Sequence, residues 1–143
     1  MNRREFAARL VFGAVAVNGA ISAQPARKVF RIGVLGLGTT SDMSGANPVW
    51  PSMKALIGAM RDLGYEYGKH YVTEARGAGG DPDRFPALAA ELVRLNVDVI
   101  AAGGGPTVAA LMQATRTIPI VMAASGDPVA DGYVQSLARP GGN

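Results

Sequence analysis

Val97-Asp98-Val99-Ile100-Ala101-Ala102 runs straight into Gly103-Gly104-Gly105-Pro106, and this stretch decides the fold. The first six residues read as a short buried strand. The glycines and proline then turn the chain into a helix that reaches about Thr115. Ile118–Ala123 (IPIVMA) follows as the next strand.

The same unit recurs upstream. Val29–Gly36 (VFRIGVLG) is rich in β-branched residues and reads as the first strand. Met53, Leu56, Ile57, Met60 and Leu63 recur at helical spacing. Pro48, Pro51 and Ser52 suit the start of that helix and Gly64 its stop. His70–Arg76 is a second, less apolar strand that suits a position nearer an edge. A second helix carries Phe85, Leu88, Ala89, Leu92 and Leu95 on one face. Asp83 is its expected cap, and Pro86 falls in its first turn. A short helix is expected over Tyr133–Leu137, in a tail that is otherwise loop.

Strand and helix therefore alternate as β-α-β-α-β-α-β. Crossovers of this length suit parallel strands covered on both faces. The expected fold is α/β: a doubly wound parallel sheet of order 2-1-3-4.

Composition narrows the function. The chain has 143 residues, 48% of them hydrophobic, so a packed core is available. Its net charge is +3. Arg3, Arg4 and Arg9 against Glu5 account for two of those charges, so the body of the chain is near neutral. That excludes the electrostatic footprint of a nucleic-acid partner. There is no cysteine and one histidine, His70, at the start of a strand. Disulfides are excluded, a zinc site is implausible, and nothing marks a Ser-His-Asp triad. No catalytic residue, metal ligand or cofactor is assigned.

Residues 1–23 read as an export signal. The charges lie ahead of an apolar stretch, Leu10–Ile21, and Ile21-Ser22-Ala23 offers small residues for cleavage before Gln24. Twelve residues span roughly 18 Å as a helix, short of a bilayer core of about 30 Å. No membrane anchor is expected after cleavage. Arg3-Arg4-Glu5-Phe6 also fits a twin-arginine signal, and the route of export stays open. The expected location is periplasmic or secreted.

In an open parallel sheet, ligands bind beyond the carboxyl ends of the strands where the strand order reverses, here between strands one and three. The loop after strand one, Leu37–Asn47, carries Thr39, Thr40 and Ser41. The loop after strand three is Gly103–Thr107, and the loop after strand four holds Ser125 and Asp127. These hydroxyls, with backbone N–H groups at the helix start Gly105-Pro106-Thr107, suit a carboxylate or another small anion. Gly36-x-Gly38-x-x-Ser41 lacks the third glycine of a dinucleotide turn. It leaves an exported Rossmann-like oxidoreductase as an alternative, and a sensory binding protein is another. Trp50 suits either a cleft aromatic or the core.

Several stretches together carry a resemblance: Arg31–Leu35 (RIGVL), Met60–Tyr65 (MRDLGY), Asp83–Val93 (DRFPALAAELV), Val97–Ile100 (VDVI), Ile118–Val121 (IPIV), Gly126–Val129 (GDPV) and Ser136–Asn143 (SLARPGGN). The chain resembles the N-terminal lobe of ABC transporter substrate-binding proteins of the tryptophan/tyrosine-binding type. Their fold is a type I periplasmic binding protein, two α/β lobes that close on a small solute. The resemblance implies a small-molecule ligand, an amino acid by family, and a membrane permease as partner. It places first-lobe contacts on the loop after strand one, on Gly105-Pro106-Thr107 and on Ser125-Gly126-Asp127. Relatives often have Thr or Ser where this chain has Gly105, which shifts the expected contact to Thr107 and to backbone N–H groups. Such proteins are roughly twice as long. The resemblance thus makes residues 24–143 one lobe, incomplete, with the second half of the cleft outside this chain.

Overall fold

A computed structural model describes residues 27–124 and 126–143. The export signal and Ser125 lie outside the described residues. The elements run β1 (Phe30–Gly36), α1 (Thr40–Met43), α2 (Pro51–Asp62), β2 (Tyr71–Gly77), a 3-10 turn (Pro82–Arg84), α3 (Phe85–Arg94), β3 (Val99–Ala102), α4 (Gly105–Ala114) and β4 (Ile120–Met122). The sheet order is β2-β1-β3-β4, and every pairing is parallel. The expected fold is the observed one.

Alternation along β1 explains the double winding. Leu35 joins Phe85, Leu88, Ala89 and Leu92 of α3 and Val108 and Leu111 of α4 on one face. Its neighbour Val34 joins Met43, Met53 and Ala75 on the other, beneath α1 and α2. Leu35, Leu92, Ile100 and Leu111 are wholly buried, each favouring the fold by about 1.5–3 kcal/mol.

Helix ends follow their local chemistry. Pro51 opens α2, where its missing N–H costs nothing. Gly64 closes it at φ +85°, its N–H bonding Arg61 O while the Tyr65 N–H reaches back to Met60 O. Asn96, at φ +50°, does the corresponding work after α3.

Three local expectations are corrected. The loop after β1 contains a single helical turn, α1, because the Thr39 hydroxyl accepts the Asp42 N–H at 3.2 Å. Asp83 does not cap α3: Asp81 caps the preceding 3-10 turn, accepting the Asp83 N–H at 3.0 Å, and α3 follows from Arg84 without a side-chain cap. Tyr133–Leu137 is not helical. Gly132 takes φ +74°, and the N–H groups of Tyr133 and Val134 both bond Pro128 O rather than starting a helix.

Candidate functional site

Because all four strands are parallel, every loop at their carboxyl ends lies on one edge of the sheet. β1 and β3 are neighbours there, while β1 leads away to β2 and β3 leads on to β4. That is the reversal point at which open α/β sheets hold ligands.

The loop after β1 is zipped to the loop after β2. Ala78 N–H donates to Gly36 O at 3.0 Å, Gly79 N–H to Gly38 O at 3.0 Å, and Gly80 N–H to Leu37 O at 2.8 Å. Thr40 Oγ1 accepts the Gly77 N–H at 3.0 Å, so its hydroxyl is used within this pairing. Thr39 Oγ1 lies 2.9 Å from Ser41 Oγ, and both residues are exposed.

The start of α4 is self-contained. Thr107 is buried; its hydroxyl donates to Gly104 O at 2.6 Å and accepts the Gly104 N–H at 3.1 Å. Thr107 and Val108 N–H both bond Gly104 O. Pro106 has no N–H, so among the described residues Gly105 supplies the one unbonded donor of this first turn, fewer than the sequence suggests.

The segment after β4 is tied to the same helix end. Asp127 is exposed, and its Oδ1 accepts the N–H groups of Val129 and Ala130 at 3.1 and 3.0 Å. The phenol of Tyr133 donates to Gly105 O at 3.1 Å. Thr39–Ser41, Gly105–Thr107 and Asp127 thus share an edge, with no hydrogen bond joining the three groups among the described residues.

A cavity of about 430 Å³ opens at this edge, lined by Leu37, Gly80, Pro82, Phe85, Gly103, Gly104, Pro106 and Thr107. Its volume suits a small ligand. Of the expected contacts it includes Pro106 and Thr107. The sequence reading missed the loop after β2, although Gly79-Gly80-Asp81-Pro82 is a turn cluster that a parallel sheet must place on this edge.

Gly36 leaves room for the methyl end of Met43, and Gly38 for the ring of Trp50, with a Cβ at either falling 2.8 or 2.7 Å from them. These glycines serve packing, and Trp50 packs against the α2-side core. His70 lies at the opposite edge, where its Nδ1 accepts the Glu66 N–H at 2.8 Å.

The fold is an open parallel α/β lobe with a cavity at its reversal point, and comparison gives its family. Residues 49–143 match the family described as ABC transporter substrate binding protein. The chain belongs to that family. It is 38% identical over 90 residues to a tyrosine-binding protein of Clostridioides difficile (strain R20291), a match covering 63% of this chain and 26% of that one. A conserved domain protein of Vibrio cholerae superposes with a TM-score of 0.66 at 31% identity, over 81% of this chain and 37% of that one. An ABC domain from Streptococcus pneumoniae, solved in complex with L-Trp, has the same fold: TM-score 0.66, 24% identity, with 81% and 37% covered. The chain spans about a quarter of the curated relative and 37% of each solved one.

Proposed function

We propose that this chain supplies one wall of the solute cleft of an exported ABC-importer binding protein, and that the solute is an amino acid. A solute held against the carboxyl edge of the sheet would be delivered to a membrane permease. The contacts proposed are Thr39, Thr40 and Ser41 after β1, Gly105, Pro106 and Thr107 at the start of α4, and Ser125 and Asp127 after β4. Thr40 acts chiefly through its backbone, since its hydroxyl already has a partner, and Thr107 acts by lining the wall, since its hydroxyl and its N–H are both bonded to Gly104; the free backbone donor of this turn is that of Gly105.

The observation that carries this reading is the open cavity at the reversal point between β1 and β3. The family and the tyrosine-binding relative support the choice of solute class. The test is thermal unfolding of the full-length protein with each common amino acid. A ligand that binds only the folded form raises the midpoint, by about 2.7 kcal/mol of added stability at a hundred times Kd. No shift with any of them overturns the reading. Export is tested separately by the N-terminus of the mature protein, expected at Gln24.

A further inference from the structure

We infer that Gly104 sets the size of the solute side chain this lobe admits, by leaving open an apolar subsite between Leu37, Pro82, Phe85 and Pro106. The inference rests on the solute-binding reading and adds which part of the solute this wall holds.

Among the described residues the cavity has no charged side chain in its lining. The one side-chain hydroxyl among them, that of Thr107, is already paired twice with Gly104. The charged ammonium or carboxylate of an amino acid would be desolvated here without a partner, which is costly. An apolar or aromatic side chain avoids that cost and gains burial against the exposed Leu37, Pro82 and Pro106. Leu37 stands 47% exposed at this edge, where a solute would cover it. The exposed hydroxyls of Thr39 and Ser41, farther along the same loop, remain for the charged end.

Among the glycines of the wall, Gly104 stands apart. Gly80 has φ +88°, a conformation that favours glycine, and a Cβ on Gly103 would touch Leu35 O at 3.6 Å. Gly104 is extended, at φ 161° and ψ 172°, and a Cβ there meets nothing within 4 Å among the described residues. Backbone geometry therefore does not require glycine at 104. What its missing side chain provides is space.

The test is calorimetric titration of full-length Gly104→Ala, Gly104→Val and Gly104→Leu proteins with tryptophan, tyrosine, phenylalanine and leucine. Along the series the largest ring should be excluded first. At Gly104→Leu the affinity for any aromatic amino acid the parent binds should fall at least tenfold. The solute-free thermal midpoints of the three should stay close together. A folded Gly104→Leu protein that binds aromatic amino acids as the parent does overturns the inference. Should that variant fail to fold, Leu37→Asp takes its place, and the same tenfold loss is required of it. If the parent binds no amino acid, the solute reading falls. Titration of the parent with p-cresol, followed by NMR, then decides the cavity alone: shifts at Leu37, Phe85 and Thr107 support the subsite, and none there sinks it.

Discussion

Gly77 and Gly38 meet backbone to backbone where β2 and β1 end: a Cβ on Gly77 would fall inside the contact radius of the Gly38 carbonyl oxygen. Neither chain can yield without breaking the hydrogen bonds that zip the two loops. Gly77→Ala should therefore destabilise by roughly 3 kcal/mol or more, at or above the usual range for overpacking. Gly58 makes the contrast. It lies inside α2 with open space around its Cβ position among the described residues. Gly58→Ala should stabilise by about 0.5–1 kcal/mol. Urea unfolding of both variants checks the pair, and equal effects would mean that the loop pairing is not rigid.

The hydrogen bond from Tyr133 to Gly105 O holds the segment after β4 against the first turn of α4. Tyr133→Phe removes that bond and keeps the ring. The expected loss is about 0.5–1.5 kcal/mol. Amide exchange should quicken in residues 128–134 before it quickens in β1 or β3. Uniform acceleration across the sheet would show that the segment is not held separately.

Much of this was legible beforehand. Four apolar runs separated by amphipathic stretches were enough for the strand order, because parallel crossovers leave few alternatives. The edge at which the strand order reverses, where the proposed site lies, followed from topology. Its wall did not. Leu37, Gly80 and Pro82 meet through backbone bonds between Gly36–Gly38 and Ala78–Gly80, and no pattern of side chains encodes such a pairing. The capping side chain is Asp81 rather than the expected Asp83, because a 3-10 turn precedes α3 and moves the cap by two residues. Gly36 and Gly38 supply two of the three glycines of a dinucleotide turn, yet their role depends on where Met43 and Trp50 come to rest, which only packing decides.

Thr107 tests how far a hydroxyl at the edge belongs to the fold. Its reciprocal bonds with Gly104 close the first turn of α4. Thr107→Val keeps the volume and removes both bonds. Losing a helix cap of this kind costs about 1 kcal/mol. Solute affinity of the folded variant should stay within about twofold, because the hydroxyl faces Gly104. A tenfold loss of affinity with unchanged stability would make Thr107 a direct side-chain contact instead.

At the other edge, Asp98 gives the fold a dependence on pH. The Arg31 backbone N–H donates to its Oδ2 at 2.8 Å, and the Lys28 ammonium donates to Oδ1. These bonds, the backbone one foremost, hold the carboxyl below its ordinary value. A carboxyl with a lower pKa folded than unfolded stabilises the fold at pH above the unfolded value, near 3.9. That contribution fades as pH falls from about 4 through the folded value. Asp98→Asn can still accept from Arg31 but does not titrate. The variant should therefore be less stable than the parent at pH 7, and the gap should narrow on acidification toward pH 3. Urea midpoints at pH 7, 5 and 3 measure it. Parallel decline of parent and variant would show that Asp98 does not contribute to the acid limb.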